Sequence, residues 1–241
     1  MNPARSNRAV PILVAAAWEP ELERFRALAR DDDGADPGDW EAAFGGFGGC
    51  DLSAEPIGIG LVDTTAGVAR SIARLGPSTV VLLGTCGAAP SSGLRIGDVV
   101  VGTSVRLVDP AVVEERAAMP YASEAVPLDP SMIAALVAAG AREATIVNTL
   151  GITTDDVLAV KLAALGQVEH LEAYGVARAC QTAPGAPVRC AVVLGIANVV
   201  GASGRDEWRA NHVAASARAA EIAWAAMRPA VRTSTTRRSP G

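Results

Sequence analysis

Apolar positions fall in short runs, and these alternate with stretches in which hydrophobic residues recur at helical spacing. "AVPILVAAA" runs into "EPELERFRALAR", and "TTAGVARSIARLG" leads to "STVVLLG". Uninterrupted apolar runs between helical patterns predict an α/β sheet buried on both faces. "IGDVVVGTSVRLVD" predicts another strand. A helix over Ser131 to Ala139 is followed by the strand "EATIVNTLG", and Asp155 is placed to cap the helix "DVLAVKLAAL".

"VEHLEAYGVARACQTA" predicts a short extended piece turning into a helix at Glu172. After Pro187, "VRCAVVLGIANVVG" is the last core strand, with its polar break at Asn198. Arg205 to Met227 closes the chain as a helix, and "RPAVRTSTTRRSPG" is expected to be an irregular tail. "DDDGADPGDW" is expected to be an acidic loop, and "EAAFGGFGG" with "AEPIGIG" to supply two strands near a sheet edge. No internal repeat or dividing linker is present, so one domain over 9–228, with tails at 1–8 and 229–241, accounts for the 241 residues.

Composition narrows the chemistry. A net charge of -5 offers no general attraction to nucleic acid or an anionic membrane. The cysteines, Cys50, Cys86, Cys180 and Cys190, form no CxxC pair, and the two histidines, His170 and His212, are too few for a zinc site or a Ser-His-Asp system. No metal or organic cofactor is therefore expected, and the chemistry falls to carboxylates, amides and backbone. Arg5 and Arg8 before "AVPILVAAAW" resemble the start of a signal peptide, but Pro11 and the following "EPELERF" suit a first buried strand running into a helix. No apolar stretch reaches the roughly 18 residues of a bilayer span, so a cytoplasmic protein is expected.

In open α/β sheets, ligands sit beyond the carboxyl ends of the strands. Glu21, Thr85, Glu172 and Asn198 all fall at such ends, and one pocket can hold all four. The run "GTCGAA" is expected to break its strand and let a ligand approach the backbone closely.

The anchors "AAWEPEL", "GTCGAAPSSGLRIGDVVVG", "EHLEAYGVARAC" and "VVLGIANVVG" occur in the order seen in the nucleoside phosphorylase and nucleosidase superfamily, which the chain resembles from Ile12 to Trp224. The resemblance implies a three-layer α/β/α fold with a central twisted mixed sheet, and cleavage of the N-glycosidic bond of a purine nucleoside. "NVVGASGRDEW" and "VNTLGITT" look most like futalosine hydrolase, which implies futalosine as substrate, hypoxanthine as leaving group and a place in menaquinone biosynthesis.

Cleaving this bond builds positive charge on the ribose carbon and negative charge on the departing base. The resemblance implies that Glu172 accepts the ribose hydroxyls, that Glu21 orients and deprotonates the attacking water, and that Gly84, Thr85, Cys86 and Gly87 line the cleft near the ribose. Glu19 competes with Glu21 as the base, and Glu172 also reads as a plain helix N-terminal glutamate. Asn198 stands where adenine-directed relatives carry an aspartate. Its amide donates to O6 or N7 of a 6-oxopurine but does not readily protonate a base.

Leu171 replaces the methionine of many relatives, and Ala197 replaces a serine, which puts a hydrogen bond supporting Asn198 in question. Trp208 either covers the base or packs the last helix. Trp18 and Trp224 are expected in the core, and His170 and His212 at the surface or behind the site. Arg205 is either a solvated helix-start residue or the partner of a substrate carboxylate. No arginine precedes the Gly-rich turn to hold phosphate, which favours water as nucleophile. The expected partner is a small purine nucleoside, with specificity for its 5' group in loops such as 119–127, and with a second copy of the chain in a homo-oligomer. The alternatives are a purine nucleoside phosphorylase, a methylthioadenosine nucleosidase, and an inactive nucleoside-binding protein.

Overall fold

The computed structural model describes residues 12–33, 52–118 and 124–235. Strand β1 (Ile12–Ala16) lies between β2 (Leu52–Pro56) and β3 (Thr79–Ala88), parallel to both. This interior position accounts for the unbroken apolar run, and β2 is the sheet edge expected of "AEPIGIG". The segment 41–49, where a second edge strand was expected, lies outside the described residues, as do residues 34–40 of the acidic loop, Cys50 and residues 1–8. Asp31 to Asp33 instead close helix α1 (Glu23–Asp33).

The other strands are β4 (Val99–Leu107), β5 (Val126–Pro127), β6 (Arg142–Asn148), β7 (Val168–His170) and β8 (Arg189–Val199). The sheet order is β2-β1-β3-β7-β6-β4-β5, and β8 pairs with both β3 and β4, which closes β3, β7, β6, β4 and β8 into a ring. Parallel and antiparallel pairs coexist, so the sheet is mixed. Val126 and Pro127, expected in a loop, form the short strand beside β4, while 119–123 lie outside the described residues.

Helices cover both faces. Helix α2 (Gly60–Leu75) packs on α6 (Ala173–Gln181), and α7 (Gly204–Thr235) packs on α1, β3 and β8. At Gly195 on β8 a Cβ atom would fall 2.1 Å from the Ala215 carbonyl oxygen, so only glycine lets α7 lie directly on the strand. The short helices α3 (Pro110–Val113), α4 (Pro130–Ala138) and α5 (Asp156–Ala163) begin at Asp109, Asp129 and Asp155, each of which accepts backbone N–H bonds as an N-cap.

Two boundaries and the burial of one tryptophan differ from the sequence reading. "GTCGA" does not break its strand: β3 continues through Ala88, because β7 and β8 pair with it on either side. The closing helix continues through Thr235 rather than ending near Met227, so the irregular tail does not begin at Arg228. Trp224 is buried against Phe25, edge to face at 5.6 Å, whereas Trp18 is only half-buried. Among the described residues, no helix is long and apolar enough to cross a membrane.

Candidate active site

A cavity of about 340 Å³ opens at the carboxyl ends of β1, β3 and β8. Glu21, Thr85, Cys86, Gly87, Leu171, Glu172, Asn198 and Trp208 all line it, together with Arg205. They arrive from five separate parts of the fold. Glu21 sits on a 3-10 turn (Glu19–Leu22) just after β1, Thr85 to Gly87 on β3, Glu172 at the N-terminus of α6, Asn198 near the end of β8, and Trp208 in the second turn of α7.

The tight turn after β1 separates the two glutamates that the sequence left in competition. Glu21 points inward and is buried, while Glu19 points out and pairs with Arg26. Burial, reinforced by the negative charge of Glu172, pushes the Glu21 carboxyl up to about 8, against opposing backbone contacts from Thr85, Trp18 and Ala17. Thr85 Oγ1 donates to Glu21 Oε1 at 3.5 Å and accepts from the Trp208 indole N–H at 3.0 Å. Glu21 Oε2 is buried with no hydrogen-bond partner among the described residues.

Glu172 Oε1 accepts the Gly60 N–H at 2.8 Å, which ties the start of α2 to the site. His170 Nδ1 lies 3.4 Å from Glu172 Oε2, yet it accepts the backbone N–H groups of Glu172 at 3.1 Å and Ala173 at 3.0 Å. A nitrogen that accepts two amides has no proton to give the carboxylate, so the contact is not an ion pair. Burial lowers the His170 pKa, with Glu172 opposing, and this keeps the ring neutral. The residue expected at the surface or behind the site is therefore a buried part of the cavity wall.

Asn198 owes its place to a bulge. Cys86 pairs with Ile196 and Gly87 with Asn198, so Ala197 is the extra residue, and an extra residue re-aims the side chain that follows. The bulge is held from α7: Asn211 donates to the Ala197 carbonyl at 3.2 Å, and the Val199 N–H donates to Glu207 at 2.8 Å. These bonds brace Asn198 without a serine at 197. Its Nδ2 donates to the Val199 carbonyl at 3.0 Å and would lie 2.8 Å from a Cβ at Gly87, so a larger residue there would displace the amide.

Sequence reasoning missed Glu169, Trp18 and Ile152, which also line the cavity. Glu169 accepts from the Thr149 hydroxyl at 3.2 Å and the Thr153 N–H at 3.2 Å, and burial raises its pKa against these bonds. The available signal was a carboxylate inside a three-residue buried strand with threonines in the preceding loop. Trp18 and Trp208 flank His212, with ring centroids 6.1 and 4.3 Å from the imidazole. Arg205 is exposed at the rim with no ion-pair partner among the described residues, whereas Arg209 pairs with Asp206 at 2.7 Å.

Of the carboxyl groups lining the cavity, Glu172 can stabilise a cationic carbon and Glu21 can take a proton from water, and the Asn198 amide can hold a polar heterocycle. The sequence profile of the phosphorylase superfamily matches residues 11–228, and the chain belongs to that superfamily. Among solved structures it is similar to a futalosine hydrolase mutant of Helicobacter pylori strain 26695, at 17% identity and a TM-score of 0.75, over 92% of this chain and all of the other. It is equally similar in fold to the Helicobacter pylori 5'-methylthioadenosine/S-adenosylhomocysteine nucleosidase with butyl-thio-DADMe-Immucillin-A, at 16% identity and a TM-score of 0.75, over 92% and 99% of the two chains. The corresponding nucleosidase from Colwellia psychrerythraea 34H, in complex with adenine, is 20% identical with a TM-score of 0.72, over 91% and 95%. Comparison with curated protein sequences yields no match.

Proposed function

We propose that the protein is a nucleosidase that hydrolyses the N-glycosidic bond of a 6-oxopurine nucleoside, futalosine being the leading substrate. The observation that carries this reading is the convergence of Glu21, Glu172 and Asn198 on one cavity. Glu172 holds the ribose hydroxyls and favours the cationic carbon. Glu21 takes a proton from water, the water oxygen bonds to C1', and the C1'–N9 bond breaks with its electron pair leaving on the purine. Asn198 donates to O6 or N7, and the base takes its proton from solvent.

Water is favoured over phosphate because Arg205 and Arg209 are the only cations among the described lining residues, and both stand on α7. A phosphate dianion beside the carboxyl groups of Glu21, Glu169 and Glu172 would lack compensation. Arg205, at the rim, suits a carboxylate on the 5' group, and a futalosine-type substrate carries one. Exposed Ile59 and Ile152 at the same rim support a second copy of the chain packing there.

The test is a chromatographic assay with futalosine, inosine, adenosine and methylthioadenosine, each with and without phosphate. Phosphate-independent release of hypoxanthine supports the reading. Sugar 1-phosphate as product would make the protein a phosphorylase, adenine release would overturn the role of Asn198, and binding without turnover would make it a binding protein.

A further inference from the structure

Two polar side chains, Glu21 and His170, approach one another over Gly84 on β3. A Cβ at Gly84 would lie 3.2 Å from Glu21 Oε1, 3.5 Å from His170 Nε2 and 3.5 Å from Leu194 Cδ2. Leu194 brings no polar atom, whereas the Thr85 hydroxyl, next along β3, is within 3.5 Å of Glu21 Oε1. Because His170 Nδ1 accepts two backbone N–H groups, the ring proton resides on Nε2, and that N–H has no acceptor among the described residues. Glu21 Oε2 likewise has no donor there. Neighbouring donors are committed: the Trp208 N–H to Thr85, the Thr85 hydroxyl to Glu21, and an Asn198 amide N–H to Val199.

Resting on the nucleosidase reading, we propose that His170 is a further catalytic residue, whose Nε2–H donates to the attacking water while Glu21 accepts that water's proton. A water molecule has two protons and two lone pairs. Carboxylates bind the protons but leave both lone pairs undirected, whereas a donor on one lone pair aims the other at C1'. The imidazole keeps its own proton throughout. The water proton passes to Glu21, the O–C1' bond forms, and the C1'–N9 electron pair leaves with the purine.

Two substitutions separate this role from helix capping. His170→Asn places an amide oxygen where Nδ1 stands and retains the bonds to the Glu172 and Ala173 amides, but has nothing at the Nε2 position. His170→Gln keeps an N–H near Nε2 and loses the cap. The expected result is that His170→Asn melts close to the wild type, keeps KM within about twofold, and loses about 10- to 100-fold in kcat. His170→Gln melts lower yet retains the higher kcat of the two. An unimpaired His170→Asn, or a His170→Gln that is the poorer catalyst, makes His170 a cap alone and overturns the proposal. A wild-type protein that cleaves no nucleoside overturns the nucleosidase reading and this role with it, so wild-type turnover distinguishes the two failures.

Discussion

The indole N–H of Trp208 donates to the Thr85 hydroxyl oxygen at 3.0 Å, which leaves the hydroxyl proton for Glu21. The last helix is thereby linked to the carboxylate that follows the first strand. Thr85→Val breaks both bonds while nearly preserving volume. Turnover is expected to fall by up to about 10-fold, with altered Trp208 fluorescence, since one ordinary hydrogen bond is worth about 1 kcal/mol. Unchanged kinetics would show that the link positions nothing.

Glu21→Gln removes the base and is expected to reduce kcat at least about 100-fold, as general-base losses do. Glu19→Gln touches only the surface contact with Arg26, and its kcat should match the wild type. The reverse ranking in a steady-state assay would reassign the base.

Stability and activity should depend on pH through the same group. Glu21 has a folded pKa of about 8 against an ordinary 4.5, so between these values the folded state binds the extra proton. Its favourable contribution is present below about 4.5 and is lost as pH rises through 8. Glu21→Gln should therefore gain in Tm over the wild type as pH rises across this window, and the gain should level off above it. A constant difference across the window would contradict the raised pKa.

In kcat/KM, which reports the free enzyme, activity should rise with pH to a plateau above about 8, because the base must be ionised. Glu172→Gln removes the neighbouring negative charge, so Glu21 gives up its proton more readily. The midpoint should move to lower pH even though the overall rate falls. A midpoint that stays in place would separate the two carboxylates electrostatically.

Asn198→Asp supplies a group able to share a proton with a purine nitrogen. Adenosine cleavage relative to inosine is expected to rise about 10-fold or more. An unchanged ratio in competition assays would remove Asn198 from the choice of base.

Much of the site was legible in the sequence because its residues lie at the ends of strongly patterned elements. The apolar runs of β1, β3 and β8 have one physical reading as buried strands, and a polar residue at each end follows from chain direction. The Asp155 cap was legible for the same local reason. Less legible was the end of β3: "GTCGA" has the composition of a break, yet the pairing of Gly87 and Ala88 with β7 and β8 keeps it extended. Strand pairing between distant segments overrode local propensity.

By itself the sequence determined the α/β alternation, the principal helix starts and the placing of Glu21, Thr85, Glu172 and Asn198 at element ends, all of which depend on neighbours within a few positions. Only the tertiary structure decided which of Glu19 and Glu21 turns inward, that Ala197 is a bulge braced by Asn211 and Glu207, and that His170 is neutral with its free N–H beside Glu21. These depend on burial and on the pairing of β3 with β8, segments far apart in the chain, and the protonation of Glu21 and His170 is set by the low polarity of a cavity that exists only after the sheet and α7 have come together.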